Sequence, residues 1–456
     1  MKIHDSLARR RPAALAAGLV FFSALVPASP ALGQSDPGVR GGAIAAGQPL
    51  SGLTAQELAY FNDGLARFLE VDGVPNGLGP RFNSNQCAGC HSYPAIGGSS
   101  PVTNPLAAVA VLGGGRNAMP WFETTNGPIR EARFQKTATG ATDGGVHDLF
   151  VITGRSDAAG CNIAQPTWGA AGNPVTGQGG NPNVIFRIPT PTFGTGLIES
   201  IDDSTIIANM SLNTVQKLLF GISGHTNNSG NDGTITRFGW KAQNKSLLVF
   251  SGEAYNVEMG VTNQLFMQER DTTAGCRFNK TPEDAGSFQP AGGTYPAVLS
   301  DVEAFSNFMR MLAPPAPAAA TASTTRGRAL FDQVGCSLCH TATMTTGAAE
   351  TGTSGASAAL SNQAVNLYSD LLVHNMGTGL ADGVSQGSAG PDEFRTAPLW
   401  GLGQRVYFLH DGRTNDVQTA VTEHAGVGSE ANVSVLQYDL LPASSKQDLL
   451  NFLRSL

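Results

Sequence analysis

Residues 81–98 read RFNSNQCAGCHSYPAIGG, in which two cysteines stand two residues apart and a histidine directly follows the second. This spacing fits a redox pair of thiols, half of a four-cysteine zinc site, or a covalent anchor for haem. In the third case both thiols add to the vinyl groups of the macrocycle, and the histidine becomes the proximal iron ligand. The rest of the chain discriminates between the three.

A second copy of the motif, VGCSLCH, occupies residues 334–340. A thioredoxin-like thiol pair would follow a strand in an alternating α/β pattern, which the sequence lacks. A zinc site that took one pair from each copy would leave both histidines unexplained. The sequence therefore predicts two covalently bound haems. The predicted thioether sites are Cys87, Cys90, Cys336 and Cys339, and the predicted proximal iron ligands are His91 and His340.

The first 33 residues have the pattern of a secretory signal. Basic residues at positions 2 and 9–11 precede an apolar stretch at 13–26, and small residues follow at 31 and 33. The apolar stretch is too short to span a membrane, and no later apolar run approaches ~18 residues. We expect a mature chain that begins near Gln34, is periplasmic or secreted, and has no membrane span.

The charge and the unpaired cysteines agree with such a chain. The formal net charge of −7 argues against nucleic acid and anionic membrane as partners. Two cysteines, Cys161 and Cys276, lie outside the haem motifs. Because unpaired thiols are a liability in an oxidising compartment, we favour a structural disulfide between them over a reactive thiol.

Two further elements repeat in the same order as the cysteine motifs. In both copies a Phe-Arg pair precedes a Pro-x-aromatic-Gly-x-Gly turn, and a short apolar segment closes the copy. A phenylalanine, Phe82 or Phe331, also stands five residues before the first cysteine. Three elements in one order predict two domains with a common plan. The matching segments are FRIPTPTFGTG (186–196) and FRTAPLWGLG (394–403), then NFMRML (307–312) and NFLRSL (451–456).

The stretch at 314–325, rich in Pro, Ala and Thr, is typical of a linker. We therefore expect a signal peptide at 1–33, an N-terminal haem c domain with insertions at 34–313, and a C-terminal haem c domain at 326–456. No strong run of alternating strands is present. The predicted fold class is mainly α with long loops, in two tandem cytochrome c-like domains that each carry a covalently bound haem.

Three helix starts are marked by capping-box patterns. An early helix would bury one apolar stripe, and the two closing segments would each form a helix. The capping pairs are Thr54 with Glu57, Ser300 with Glu303 and Ser445 with Asp448, and the stripe is Leu58, Phe61, Leu65 and Phe68.

The segment FRTAPLWGLGQRVYFLHDGRTNDVQTAVTEHAG (394–426) resembles the bacterial di-haem peroxidase superfamily, which includes di-haem cytochrome c peroxidases and MauG-type enzymes. The likeness runs from about residue 55 to the end of the sequence and is greatest to the di-haem oxidoreductase branch. The other segments that carry it are GLGPRFNSNQCAGCH (77–91), RFGWKA (237–242), EAYNVEMGVTNQLF (253–266), DLLVHNMGTGLADG (370–383) and FLHDGR (408–413).

The resemblance implies the sixth ligand of the second haem. In these families the residue fourteen after the histidine of the His-Asp-Gly motif binds that iron, and His410 plus fourteen is His424. An imidazole there implies a low-spin haem bound by two histidines. His410 would be a buried hydrogen-bonding residue near the haem edge, and His374 with Asn375, which match a His-Asn pair of the family, would support the ligands from behind. Met376 is a rival ligand.

The first haem has no obvious sixth ligand. The position that matches His424 in the repeat is Lys217, so we expect an open or water-occupied site on the His91 haem. Breaking a peroxide O–O bond there requires a positioned acid–base group. The candidates are Glu199, Glu253 and Glu258, while Tyr255 could instead line the pocket.

The two haems require electronic coupling, which a tryptophan provides in MauG-type enzymes. Trp240, in RFGWKA, is our candidate among Trp121, Trp168, Trp240 and Trp400. Trp400 stands in the repeated turn, where haem packing is the simpler interpretation.

The sequence thus predicts an exported, peroxidase-like di-haem oxidoreductase, with a reactive haem on His91 and a low-spin electron-transfer haem on His340 and His424. Its partners would be a small oxidant, hydrogen peroxide or dioxygen, and a redox partner or organic substrate. Two alternatives remain: an electron-transfer cytochrome c, and a di-haem oxygenase that cleaves an apolar substrate. A calcium ion (Ca²⁺) lies between the domains of relatives, but the sequence gives it no ligands.

Overall fold

The structure is a computed structural model, and it describes residues 34–41, 46–172, 180–285, 299–348 and 357–456. The predicted signal peptide lies outside the described residues. Residues 34–456 form one compact unit built mainly of helices and long loops. None of the helices in the described ranges is both long and apolar enough to cross a membrane.

Helices provide the framework of this unit. In chain order they are α1 (Ala55–Phe68), α2 (Cys87–Cys90), α3 (Leu106–Val111), α4 (Thr195–Glu199), α5 (Asp203–Met210), α6 (Thr214–Phe220), α7 (Leu247–Met259), α8 (Asp301–Met311), α9 (Ala322–Gln333), α10 (Val417–Thr422), α11 (Asn432–Asp439) and α12 (Ala443–Ser455).

The strands are short and pair in small antiparallel sheets. In the three-stranded sheet residues Glu131–Phe134 form the central strand, with Ala132 opposite Phe186, and the other sheets have two strands. The strands are β1 (Arg81–Phe82), β2 (Glu131–Phe134), β3 (Val146–His147), β4 (Phe150–Val151), β5 (Val184–Arg187), β6 (Asn227–Asn228), β7 (Ile235–Thr236), β8 (Met344–Thr345), β9 (Ala364–Val365), β10 (Val373–Asn375) and β11 (Glu393–Arg395).

Helices α1 and α8 cross at a glycine. A Cβ atom added to Gly64 would lie 2.2 Å from the carbonyl oxygen of Ala304 and 2.8 Å from the Cβ of Phe308. Only glycine permits backbones to approach this closely. Both helices start at the predicted capping boxes, where Thr54 and Ser300 accept hydrogen bonds from backbone N–H groups.

Helices α9 and α12 repeat this crossing. A Cβ atom on Gly327 would lie 2.0 Å from the carbonyl oxygen of Asp448 and 2.7 Å from the Cβ of Phe452. The phenylalanine follows the carbonyl residue by four positions in both crossings. The internal repeat in the sequence is therefore also a repeat in the packing.

The two Pro-aromatic-Gly turns dock on the closing helices in the same way. A Cβ atom on Gly196 would lie 1.9 Å from the carbonyl oxygen of Arg310, and one on Gly403 would lie 2.0 Å from that of Arg454. Each arginine stands in the matched NFMRML or NFLRSL segment. The last glycine of each turn is thus required by a close approach of two backbones.

Several sequence-based details differ from the structure. The counterpart of Phe331 is Phe68 rather than Phe82, because each follows its crossing glycine by four residues and lies near the motif histidine. Phe82 instead packs against Phe150, with ring centroids 5.9 Å apart. Leu58 is 40% exposed, since α1 turns its opposite face toward α8.

The start of the last helix also differs from the prediction. Helix α12 begins at Ala443, so Ser445 lies inside it and is not its cap. The Asp448 carboxylate accepts hydrogen bonds from Ser323 and Arg326 and joins α12 to α9. Helix α9 begins at Ala322, so the end of the predicted linker is helical.

The predicted disulfide is present. Cys161 and Cys276 are bonded, with their Cα atoms 4.6 Å apart, and both residues are buried. The bond closes a long loop across the N-terminal part of the described chain.

Candidate haem sites

The first cysteine motif opens onto a large cavity. Helix α2 is a single turn whose ends are Cys87 and Cys90, and both thiols and His91 line a cavity with an empty volume of about 1270 Å³. Burial raises the pKa of both thiols, so they are neutral before any reaction. Phe68 and Phe305 close part of the wall.

The second motif lines a matching cavity of about 1420 Å³. Cys336, Cys339 and His340 lie on its wall, and so does His424, which follows helix α10. The structure therefore brings His340 and His424 to one cavity, although they are far apart in sequence. Met376 lines the same cavity.

The three candidate iron-binding histidines share one hydrogen-bond pattern. Each ring contacts a backbone carbonyl through Nδ1: His91 with Gly98 at 3.0 Å, His340 with Tyr368 at 2.9 Å, and His424 with Ala420 at 2.6 Å. Because a carbonyl only accepts, Nδ1 carries the proton and Nε2 is the nitrogen that can bind a metal. This is how metal-binding histidines are usually oriented.

Burial also keeps these rings neutral. It lowers the pKa of His91 and His424, and lowers that of His340 to about 4. A neutral imidazole is the form that binds iron. The protonation state and the orientation therefore both suit ligation.

His374 is oriented differently. Its Nε2 lies 3.0 Å from an Asp370 oxygen, and its Nδ1 lies 2.7 Å from a Glu430 oxygen. Burial would lower the pKa of His374, but neighbouring Cys339 and Asp370 raise it well above its usual value. Carboxylate oxygens therefore engage both ring nitrogens, which leaves neither free to bind iron. Asp370, His374 and Cys339 are grouped closely enough to hold a metal, but Ca²⁺ prefers oxygen ligands only.

His410 also lines the second cavity. Its ring stacks on Phe394 with centroids 4.2 Å apart, and burial lowers its pKa to about 4. It is buried beside the cavity, where its contact is with an aromatic ring.

Two arginines test whether the second cavity fits a haem. Arg395 and Arg405 line this apolar cavity, and neither forms an ion pair with a described residue. The Nη1 atom of Arg395 has no hydrogen-bond partner, and burial lowers the pKa of both guanidinium groups to about 10. Buried charges require compensation. The two propionates of a haem would supply it, so the residues fit the group.

The first cavity holds a pair of carboxyl groups. Glu258, on α7, hydrogen-bonds Glu131, on β2, and also accepts a 2.8 Å hydrogen bond from Asn83. Burial and the charge of Glu131 raise the pKa of Glu258 well above its usual value. Although burial opposes it, the ion pair with Arg133 lowers the pKa of Glu131. The surroundings therefore favour a proton on Glu258 and a negative charge on Glu131.

Trp240 lies on the wall of both cavities. Its Nε1 donates a 2.9 Å hydrogen bond to the carbonyl oxygen of Ile188, which fixes the indole ring. Its ring centroid is 6.4 Å from that of His410. It is thus the tryptophan that borders both candidate haem sites among the described residues.

Comparison with known proteins identifies the family. The family model described as "Di-haem oxidoreductase, putative peroxidase" matches residues 180–456, more than half of the chain. The chain belongs to this di-haem oxidoreductase family. Membership implies haem cofactors, and the two cavities, each with a Cys-x-x-Cys-His motif on its wall, are the candidate sites for them. No curated protein matches the chain.

This di-haem oxidoreductase is also similar to parts of solved structures. Hydrazine synthase of Kuenenia stuttgartiensis shares 20% identity over 34% of this chain and 55% of that chain, with a TM-score of 0.23. The diheme peroxidase BthA of Burkholderia thailandensis shares 16% sequence identity over 48% of this chain and 65% of that chain, with a TM-score of 0.29. A MauG-like protein associated with microbial copper homeostasis shares 16% sequence identity over 58% of this chain and 88% of that chain, with a TM-score of 0.26. The chain spans about half the length of the hydrazine synthase chain.

The remaining acid–base candidates of the oxidoreductase separate into two groups. Glu253 and Tyr255 line the first cavity beside Glu258. Glu199 is not part of that lining. One of its oxygens accepts a 2.8 Å hydrogen bond from the backbone of Leu247, and the other a 2.7 Å bond from Arg310. Glu199 therefore supports the start of α7 rather than the cavity.

Two other residues singled out in the sequence lie away from the haem cavities with which they were associated. Lys217 donates hydrogen bonds to the carbonyl oxygens of Asn209 and Met210 and does not line the first cavity. Trp400 lies outside both haem cavities and packs against Gly194 in the first repeat's turn. The haem-packing interpretation of Trp400 therefore finds no support in its position.

Sequence reasoning missed Glu131. It lies on β2, where pairing with β5 brings it into the wall beside Arg187. Its one sequence signal is Arg133 two residues later, which faces the same side of a strand. Such a pair is common on exposed strands, so it did not indicate a site.

Proposed function

We propose that this di-haem oxidoreductase is an exported, peroxidase-like enzyme with two covalent c-type haems. One haem would be reactive and the other would transfer electrons. The reactive haem would be held by Cys87, Cys90 and His91, and the electron-transfer haem by Cys336, Cys339, His340 and His424.

The asymmetry between the two cavities carries this proposal. Four histidines line the second cavity, and two of them, His340 and His424, have Nδ1 on a backbone carbonyl as an iron ligand would; among the described residues of the first cavity, His91 is the one histidine. Two strong axial ligands favour a low-spin iron that transfers electrons, and a vacant position favours a reactive iron. The half-buried pair of Glu131 and Glu258 lies in the first cavity, where the reactive iron is proposed.

The residues of the first cavity would move the protons of the reaction. When bound, haem supplies the redox iron that peroxide chemistry requires. Ionised Glu131 accepts a proton from hydrogen peroxide, and protonated Glu258 donates one to the leaving oxygen, which departs as water. The hydrogen bond between the two carboxyl groups lets the proton return for the next turnover.

Trp240 would couple the two sites. It borders both cavities and is held by a backbone hydrogen bond, so its ring position is fixed. Electrons from a one-electron redox partner or an organic substrate would enter near the second cavity and reach the first beside this indole. The Cys161–Cys276 disulfide supports export, because disulfides persist in oxidising compartments.

Electron paramagnetic resonance of the ferric holoprotein tests the proposal. We expect one high-spin and one low-spin haem, with the high-spin signal lost on addition of stoichiometric hydrogen peroxide. Two low-spin signals that peroxide leaves unchanged would indicate an electron-transfer cytochrome, for example one in which Met259 or Met309 completes the first haem. Reaction with dioxygen and an apolar substrate, but not peroxide, would indicate an oxygenase.

A further inference from the structure

Tyr255 has an unusual pair of neighbours in the wall of the first cavity. Its hydroxyl lies 3.1 Å from an oxygen of Asp72 and 3.0 Å from an oxygen of Asp301. The tyrosine is 3% exposed and Asp72 is 5% exposed. A phenol has one hydrogen to donate, so two carboxyl groups compete for it.

The two carboxyl groups differ in their surroundings. Asp301 is held at 3.1 Å by Arg67, which stabilises its negative charge. Burial, the largest influence, raises the pKa of Asp72 to about 7. The tyrosine therefore faces a carboxyl group paired with an arginine on one side and a group with a raised pKa on the other.

Packed aromatic rings connect Tyr255 to the proximal side of the first site. Its ring centroid lies 5.1 Å from that of Phe305, which lies 6.2 Å from Phe68, which in turn lies 6.1 Å from His91. The tyrosine thus borders the cavity directly and also contacts the wall that holds the proposed iron ligand.

We propose that Tyr255 is a redox-active tyrosine that gives one electron to the first haem site while Asp301 or Asp72 takes its proton. The inference rests on the proposed function, which supplies hydrogen peroxide as the oxidant. Peroxide takes up two electrons, together with two protons that come from solvent, and yields two waters. Tyr255 supplies one electron and the haem groups supply the other.

The proton balance follows from the contacts. The Tyr255 O–H bond breaks, a new O–H bond forms on a carboxylate oxygen, and a neutral tyrosyl radical remains. The two acceptors within 3.1 Å allow the proton to leave together with the electron. Loss of the electron alone would leave a buried, positively charged phenol radical cation. A later one-electron donor reduces the radical, and the proton returns to oxygen.

Tyr438 is the matched control within the same chain. It lines the second cavity and is 1% exposed, but its hydroxyl has no hydrogen-bond partner among the described residues. It therefore shares the burial and cavity position of Tyr255 without a proton acceptor. The two tyrosines separate the effect of the carboxyl groups from that of proximity to a haem.

Freeze-quench electron paramagnetic resonance of the holoprotein after stoichiometric hydrogen peroxide tests the inference. We expect a radical signal that narrows when the tyrosines are ring-deuterated, is lost in Tyr255→Phe, and persists in Tyr438→Phe. Asp301→Asn keeps the side-chain shape but removes one of the two carboxyl groups that can accept the proton, so it should reduce the radical yield even if Tyr255→Phe fails to fold.

The outcomes separate this inference from the proposed function. Loss of the high-spin haem signal without a tyrosyl radical, or a radical unchanged in Tyr255→Phe, overturns the role of Tyr255 and leaves the peroxidase proposal standing. A high-spin signal that peroxide does not alter overturns both.

Discussion

The carboxyl groups of Glu131 and Glu258 hydrogen-bond each other in the wall of the cavity that contains His91. Two half-buried carboxyl groups in contact cannot both ionise readily, so they divide the roles of acid and base. Burial and the charge of Glu131 raise the pKa of Glu258, whereas Arg133 keeps Glu131 ionised against the effect of burial.

Replacing the acid should abolish most of the peroxide chemistry. We expect Glu258→Gln to slow the reaction with hydrogen peroxide by about 10²- to 10⁴-fold, the usual loss when a general acid is removed. Stopped-flow absorbance at the haem bands measures this rate. Glu199→Gln is the control, because Glu199 is outside the cavity lining and should affect stability alone. Equal losses in both variants would contradict the assignment.

The pair should also set the alkaline limit of the reaction. The raised pKa of Glu258 means that its proton is lost only as pH rises through that pKa, and the rate should fall there. Glu131→Gln removes the negative charge that helps to raise this pKa, so the alkaline limb should move to lower pH. An unshifted pH–rate profile in Glu131→Gln would show that the two groups are not coupled.

The same proton links the pair to folding. The folded protein holds a proton on Glu258 that the unfolded chain releases above its ordinary pKa, so this group's contribution to stability is full at low pH. The contribution is lost as pH rises through the folded-state pKa. Glu258→Gln should therefore make the free energy of unfolding less sensitive to alkaline pH, as measured by urea titrations across the pH range.

His424 should determine the spin state of the second haem. We expect His424→Ala to replace the low-spin signal with a high-spin one, because an imidazole with a free Nε2 would be lost from the cavity. Electron paramagnetic resonance distinguishes the two states. Met376→Leu should leave the low-spin signal intact, whereas its loss in that variant would make Met376 the ligand.

Trp240 should control communication between the sites. In Trp240→Phe we expect unchanged haem spin states but slower oxidation of the second haem after peroxide reacts at the first, followed by stopped-flow absorbance. Trp400→Phe is the control, since Trp400 borders neither haem cavity. If the two variants behave alike, electrons do not pass beside Trp240.

The sequence was informative where chemistry requires a fixed spacing. Two cysteines and an adjacent histidine must stand in one turn to meet a macrocycle, so this motif predicted both cavities. The position of His424 followed from the family resemblance, and His340 shares its cavity. Trp240 was also predicted and borders both cavities.

Pairs formed only by tertiary packing could not be predicted in this way. Glu131 contacts Glu258 because β2 pairs with β5 and α7 packs nearby. No local sequence pattern predicts this contact between residues far apart in the chain. Glu199 looked equivalent in sequence, but Arg310 holds it elsewhere. Phe82 matched Phe331 by its distance from the first cysteine. In the structure the equivalent residue is Phe68, because Phe68 and Phe331 each follow the crossing glycine of their repeat by four residues.

The crossing glycines should be the most sensitive positions of the framework. A Cβ on Gly64 or Gly327 would lie within 2.2 Å of a backbone oxygen on the partner helix, so the helices must separate. Alanine gains about 1 kcal/mol of helix propensity, but overpacking at a tight contact costs about 1–3 kcal/mol or more. We therefore expect Gly64→Ala and Gly327→Ala to lower the urea midpoint and to weaken haem retention in their own repeat. Gly379→Ala is the control, because nothing lies within 4 Å of its added Cβ. If all three variants unfold at the same urea concentration, the close helix crossings do not limit stability.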